Sequence, residues 1–355
     1  MFLAFKELSY SKLRYSLISL IIIAILFLVF FVTGLANGLA FGDSSSIRNL
    51  EADYILLNED ATGAIVKSEL TLDQVNALRG QLEHKSSPLT MTTSAIVKEN
   101  KKDIDVVYFS VDTANYHDVD LVEGKNISDL NANEIIADES IKLYGDYKLN
   151  DTIIEKMTGN ELKIVGFMKD HTYSNMPTIY ADFSSDLNTY YGNKPFYNAV
   201  MYSGSKTPIK GFDTFTKNEL VKAIPGYTET QGSLRMIVVF LFIISAFVST
   251  VFFYVITIQK LNQFGILKAI GATTSSIANS IMIQVFLLTI IGLLFSWLLI
   301  LGMSQVIPEG MPFRLSPMLM VSTAVLFLIV NLIGALLSVY KAAKVDALEA
   351  IGRVE

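Results

Sequence analysis

Cysteine is absent from the 355 residues, histidine occurs three times, and charged residues make up only 17% of the chain. Without cysteine there are no disulfides, thiolate zinc sites, cysteine-held iron–sulfur clusters or cysteine nucleophiles. His84, His117 and His171 lie too far apart for the paired spacing of a zinc-binding helix. Neither a G-x-x-x-x-G-K-[ST] phosphate loop nor a G-x-S-x-G elbow occurs, so the sequence carries no P-loop ATP site and no hydrolase nucleophile turn. The net charge of −6 argues against a nucleic-acid binder working through a basic surface. A soluble domain averages about 25% charged residues, and the shortfall here is local.

Four stretches hold no charge. They are 28 residues from Tyr15 to Gly42, 24 from Met236 to Gln259, 26 from Leu315 to Tyr340, and 40 from Ala269 to Pro308. The apolar part of the last is Ile281 to Val306. A helix needs about 20 apolar residues to cross the hydrocarbon core. The chain therefore reads as an α-helical membrane protein with transmembrane helices at 15–41, 236–259, 281–306 and 315–340. The apolar region of a cleaved secretory signal, about 7–15 residues, is too short to describe the first stretch.

Between the first two spans lies an uninterrupted polar block, 42–232, with 18 Lys and Arg against 29 Asp and Glu, a net of −11. The short ends and the 260–279 loop hold eight basic residues, Lys260 and Lys268 among them, against four acidic ones. Lys and Arg in short flanking loops stay cytoplasmic, whereas long domains cross regardless of charge. Both termini and 260–279 are thus expected inside, and the large extracytoplasmic domain outside.

Within that block DYILLN (53–58), DVVYFSV (105–111) and ELKIVGFM (161–168) read as strands. Turns are expected at Glu123-Gly124, Asn131-Ala132-Asn133, Thr158-Gly159-Asn160 and Tyr191-Gly192-Asn193. Leu72, Val75, Leu78 and Leu82 recur at helical spacing behind Thr71, a candidate N-cap. The block is expected to be an α+β domain with a modest core. Its acidic pairs, Glu59/Asp60 and Asp118/Asp120, read as solvated surface.

The stretch leaving the second span, FFYVITIQKLNQFGILKAIGATTSSI (252–277), sets Leu261, Phe264, Leu267 and Ile270/Gly271 at helical spacing beside Lys260 and Lys268. An amphipathic helix of this kind fits a place at the lipid surface and a groove on a partner protein equally. The N-terminal segment 1–14 has the same character, with Phe2, Phe5 and Leu8 on one face.

Gln259-Lys260, followed by Phe264-Gly265-Ile266-Leu267-Lys268-Ala269-Ile270-Gly271-Ala272, resembles the signature of the FtsX/MacB-type ABC transporter permeases. The ending KAAKVDALEAIGRVE (341–355) resembles that family's short cytoplasmic C-terminal segment, with Ala347 where relatives often carry proline. Within the family the size and the wording FFYVITIQKLNQFGILKAIGA are most similar to the haem-exporting permeases of Gram-positive bacteria. The resemblance implies a multi-pass protein of the cell membrane, a homodimer working with two copies of a separate ABC ATPase subunit that binds the ATP. It implies that 260–279 docks on that ATPase as a coupling helix through Gln259, Lys260, Phe264, Gly265, Lys268 and Gly271. It also implies that closure of the ATPases moves the spans and the external domain together, without a central aqueous channel. No catalytic residue and no resident cofactor follow from it; haem enters as the substrate.

Haem iron accepts His, Met, Cys or Tyr, and cysteine is absent. On this resemblance, contacts are expected near where the external block meets the spans. Tyr54 lies soon after the first span, and KDHTYSNMP (169–177) gathers His171, Tyr173 and Met176. Tyr227 precedes the second span, and Arg235, eight residues on, is a cation for a propionate. Tyr173 and Tyr227 are favoured. Against this, tyrosine collects at membrane interfaces for amphipathic reasons alone, and the plainer reading of Arg235 is a side chain reaching from a span to the interface. Gly34 and Gly38 form a G-x-x-x-G, a candidate dimer seam. Met303, Met311, Met318 and Met320 surround the short outer loop, where soft packing explains them as well as ligation does.

The same architecture also suits a mechanical transmitter acting on a cell-wall hydrolase or lipoprotein. An exporter of another amphiphile, such as an antimicrobial peptide, and a membrane-anchored sensor or adhesion protein without an ATPase are the remaining readings.

Overall fold

The computed structural model describes residues 12–82, 86–98, 102–183, 196–308 and 311–343. Phe2, Phe5 and Leu8 of the N-terminal segment, His84, the expected turn at 191–193 and residues 344–355 of the ending lie outside them. In chain order the elements are α1 (Lys12–Arg48), β1 (Tyr54–Asn58), α2 (Leu72–Gln81), β2 (Ser86–Val97), β3 (Ile104–Val111), β4 (Leu121–Gly124) and β5 (Glu134–Asp138). There follow β6 (Thr152–Glu155), β7 (Glu161–Met168), β8 (Thr172–Tyr173), β9 (Met176–Asp182), β10 (Ala199–Tyr202), β11 (Phe212–Thr216) and α3 (Lys217–Ala223). The chain ends with α4 (Tyr227–Gln259), α5 (Leu261–Ala269), α6 (Thr274–Ser304) and α7 (Pro317–Ala343). Two compact units result, Met1–Gly38 with Gly232–Glu355, and Leu39–Gln231.

In the first unit α1, α4, α6 and α7 are long and apolar enough to cross a bilayer. Tyr15, Ile18, Ile22, Leu26, Val29 and Phe30 recur at helical spacing on α1 and are buried, together with Phe253, Val285, Leu288 and Phe327 from the other three helices. In lipid, close approach of small residues and hydrogen bonds between helices replace a water-driven core. A Cβ on Gly292 would stand 2.7 Å from the Ile22 side chain, and Ser296 Oγ donates to the Ile23 carbonyl at 2.9 Å. Ser249 donates to Asn331 Oδ1, and the Asn331 amide donates to the Phe327 carbonyl at 3.0 Å.

Gly34 and Gly38 pack against the segment before α7 of the same chain. A Cβ on Gly34 would lie 2.6 Å from the Phe313 ring, and one on Gly38 would overlap the Pro312 carbonyl. The Arg314 N–H donates to the Gly34 carbonyl at 3.1 Å, and Asn37 Nδ2 donates to the Arg314 carbonyl at 2.9 Å. The glycine stripe is thus the seat of the segment before α7.

The second unit is the α+β domain between the first and second spanning helices. Its strands form one sheet in the order β11-β1-β10-β2-β3-β9-β5-β7-β4, with β6 pairing β2 and β7, and β8 pairing β9. The β3–β9 and β5–β7 pairs are parallel and the remaining pairs antiparallel. Side chains alternate across a strand. Val107, Phe109 and Val111 of β3 accordingly enter one core cluster, while Ile104, Val106 and Tyr108 enter another on the opposite face. Both faces are filled, so the core is larger than the strand-like runs of the sequence suggest. Thr71 caps α2 in a reciprocal capping box with Gln74. The expected helical stripe is trimmed there, because Leu72 is 47% exposed while Val75, Leu78 and Leu82 are buried.

Candidate functional site

The last turns of α1 leave the apolar composition behind and carry Asp43, Ser44, Ser45, Ser46 and Arg48 in quick succession, with Asn49 just beyond. The β8–β9 hairpin lies along them. Its turn residues Ser174 and Asn175 both have positive φ, 49° and 61°, the geometry of a two-residue hairpin turn. Their N–H groups donate to the carbonyls of Asp43 at 3.1 Å and Gly42 at 3.0 Å. Asn175 Nδ2 donates to Asp43 Oδ1 at 2.5 Å, and the Thr172 N–H donates to Ser45 Oγ at 2.8 Å. Ser46 Oγ and Thr178 Oγ1 share a buried hydrogen bond of 2.5 Å. Asn49 Nδ2 donates to the Asp170 carbonyl at 2.8 Å.

Tyr173 is 7% exposed and packs in the cluster that holds Ile47, Leu50, Tyr116 and Tyr180. Burial first, and Asp43 second, push its phenol up to about 12, so it is held protonated. Met176 packs partly buried against the same cluster. His171 is buried, its N–H donates to Asp138 Oδ2 at 2.7 Å, and its Nδ1 lies 2.8 Å from the Lys169 carbonyl. A carbonyl only accepts, so the ring proton sits on Nδ1. Nε2 is buried without a hydrogen bond, and the ring meets Tyr180 edge-on with centroids 5.8 Å apart. Burial lowers the His171 pKa and raises that of Asp138.

Tyr227 opens α4 and packs on the same cluster as Tyr173. Its hydroxyl accepts from Arg48 Nη2 at 3.0 Å, while Arg48 Nε donates to Ser44 Oγ at 2.8 Å. Tyr54 stands apart, on the other face of β1, where its ring stacks on Tyr202 with centroids 5.6 Å apart. Arg235 is exposed on α4. The structure therefore gathers Tyr173, Met176 and Tyr227 at one cluster with His171 beside it, and leaves Tyr54 on the other face of β1. Arg48 is the residue that sequence reading missed. With α1 expected to end at 41, it fell among the charges of the polar block, and only the helix's extension to residue 48 brings it to Tyr227.

The segment after α4 departs from a simple amphipathic helix. Gln259 ends α4 exposed, but Lys260 is only 9% exposed and faces inward, where Tyr15 accepts its ammonium hydrogen bond. Phe264 is buried against Ile277 and Ile281, with Leu267 partly buried beside them. Gly265 is buried as well. Ile270, expected to share their face, is 76% exposed together with Ile266 at 57%. Gly271, at φ +102°, ends α5. Its N–H donates to the Lys268 carbonyl and that of Ala272 to the Leu267 carbonyl, which is a Schellman ending. Thr273 then caps α6 through Ser276. Among the described residues no group of three or more His, Asp or Glu is placed to hold a metal ion.

Residues 235–347 match the family model of the FtsX-like permease C-terminal region. The chain is 34% identical to the "Putative hemin transport system permease protein HrtB" of Staphylococcus haemolyticus, over 99% of both chains. A protein of the same name from Staphylococcus epidermidis is 31% identical, again over 99% of each. The periplasmic region of MacB from Actinobacillus actinomycetemcomitans, at 16% identity, aligns over 50% of this chain and 95% of its own with a TM-score of 0.36. Four apolar helices, the interposed α+β domain and these full-length identities define a membrane subunit of the ABC transporter class. The chain belongs to the FtsX-like permease family, and the HrtB proteins are relatives of it along their whole length.

Proposed function

We propose that the chain exports haem from the membrane, as a permease homodimer driven by two copies of an HrtA-like ATPase. The identity to HrtB proteins across 99% of both chains carries this reading. Both termini and α5 face the cytoplasm of a Gram-positive cell and residues 42–232 lie outside, a sidedness that the excess of Lys and Arg in the short loops supports. The exposed Ile266 and Ile270 of α5 enter a groove on the ATPase.

Haem is met by Tyr227 and Tyr173, with Arg48 beside Tyr227 as the cation for a propionate. Tyr173 is covered in this structure, so its contact with haem follows a displacement of the β8–β9 hairpin. His171 and Met176 support that hairpin. The test is the ATPase activity of the assembled complex in lipid vesicles, with and without added haem. Stimulation by haem, and haem sensitivity of cells lacking the gene, are expected; unaltered hydrolysis together with unaltered haem tolerance overturns the reading.

A further inference from the structure

Lys260, the residue directly after the second span, has only 9% of its surface exposed. It stands at the corner where α4 ends and α5 begins, the position that caps α5. Its Nζ donates to the Tyr15 hydroxyl of α1 at 3.0 Å and lies 5.6 Å from the centroid of that ring. The Tyr15 hydroxyl in turn donates to Gln284 Oε1 of α6 at 3.1 Å. The directions agree, since an ammonium only donates, a phenol relays and an amide oxygen receives. One hydrogen-bonded line thus ties the α4–α5 corner to α1 and to α6. Beside it Phe264 of α5 packs on Ile277 and Ile281 of α6.

Packing alone does not call for this arrangement. Burying an ammonium is costly even when it is paired, and an apolar side chain of similar volume fills such a place as well or better. What the lysine adds over a leucine or methionine is direction. The line closes only when three helices hold one register.

We propose that Lys260 is a positioning residue that, through Tyr15 and Gln284, makes α1 and α6 follow any displacement of α5. This rests on the reading of α5 as the element that the ATPase pushes, and it gives Lys260 an inward role instead of a contact with the ATPase. Ile266 and Ile270 receive the push, and Lys260 passes it to the first span.

The absence of cysteine allows paired spin labels at Leu13→Cys on α1 and Asn262→Cys on α5, both exposed. The complex with its ATPase is reconstituted in vesicles of phosphatidylglycerol and cardiolipin. One 13–262 distance, unchanged by ATP, is expected for the otherwise native chain and for Lys260→Arg. A broadened or ATP-shifted distribution is expected for Lys260→Met and Tyr15→Phe. Haem moved per ATP falls at least about fivefold in those two variants, the low end of ordinary coupling effects, while the KM for ATP stays unchanged. Should Lys260→Met fail to assemble, Gln284→Leu and Tyr15→Phe provide the same comparison. Unchanged distances in the variants that assemble overturn the proposal. The distance measurement needs no haem, so a failure of the haem reading leaves it decisive.

Discussion

Arg48 Nη2 donates to the Tyr227 hydroxyl at 3.0 Å, joining the last turn of α1 to the first turn of α4. Nε of the same guanidinium is held by Ser44 one turn earlier, so its plane is fixed before any ligand arrives. If this pair meets a propionate and the iron, Tyr227→Phe should lower haem stimulation of the ATPase about tenfold, a loss of roughly 1.4 kcal/mol. Arg48→Ala should do the same, and Arg48→Lys should recover only part, because an ammonium cannot reproduce the two-pronged geometry. Basal hydrolysis checks that the complex is intact in each case.

The hairpin on α1 is a polar joint, and polar joints fail asymmetrically. Ser46→Ala leaves the buried Thr178 hydroxyl without its partner, which should cost about 1–3 kcal/mol. The double variant Ser46→Ala with Thr178→Val removes both polar groups and should cost less than the single change. Thermal unfolding of the purified chain compares the two. Ser174→Val should be worse than Ser174→Gly, since a β-branched residue does not tolerate the positive φ found there.

His171 makes the stability of this domain depend on pH. Its folded-state pKa is depressed by burial below the ordinary 6.5. As pH falls through that ordinary value the unfolded chain takes up the proton first, so stability declines; above it both states are neutral and the contribution is flat. Asp138, raised by burial from 3.8, opposes this at lower pH because there the folded state takes up its proton first. The melting temperature is expected to drop from about pH 7 toward pH 5.5, and His171→Gln to flatten that slope. Asp138→Asn separates the second contribution.

On α5, exposure and burial predict different failures. Ile270→Asp changes a 76% exposed side chain, so the chain should fold and unfold as before yet lose the ATPase on copurification. Phe264→Ala removes a buried ring from the contact with Ile277 and Ile281 and should destabilise the permease itself, by about 3–5 kcal/mol. Melting curves and copurification, read together, distinguish the two.

Gly38→Ala should displace the segment at Pro312 whether or not the chain is a dimer, because the obstructing carbonyl belongs to the same chain. Overpacking of this kind costs about 1–3 kcal/mol. The expected outcome is a lower melting temperature with the oligomeric state unchanged in detergent.

The four spanning helices were legible because an absence of charge over more than 20 residues has few other causes. Their ends were not. α1 continues to Arg48 on a glycine, an aspartate and serines that hydropathy ignores, and those residues, with Asn49 just beyond, hold the hairpin. Strands β1, β3 and β7 stood out as apolar runs, whereas β2, SSPLTMTTSAIV, hides in plain view. Ser86, Ser87, Thr90, Thr92 and Ser94 are buried there despite their polarity, and the partners of Thr90 and Ser94, the Phe196 carbonyl and Glu155, reach them only once the sheet exists. The candidate tyrosines were named by type and by distance from the spans. Which of them cluster was decided by pairings across 179 residues, as for Arg48 and Tyr227, and no local pattern carries that. Lys260 misled for a similar reason, since helical spacing set it beside Lys268 on a basic face while Tyr15, 245 residues away, turned it inward.

The most direct test of haem as the substrate is a haem titration of the purified permease–ATPase complex, following absorbance and ATP hydrolysis, with Tyr173→Ala and Tyr227→Ala alongside. The account predicts saturable haem binding with stimulated hydrolysis in the native complex, and an altered spectrum with weakened stimulation in both variants. Spectra and hydrolysis identical in the native complex and both variants would contradict it.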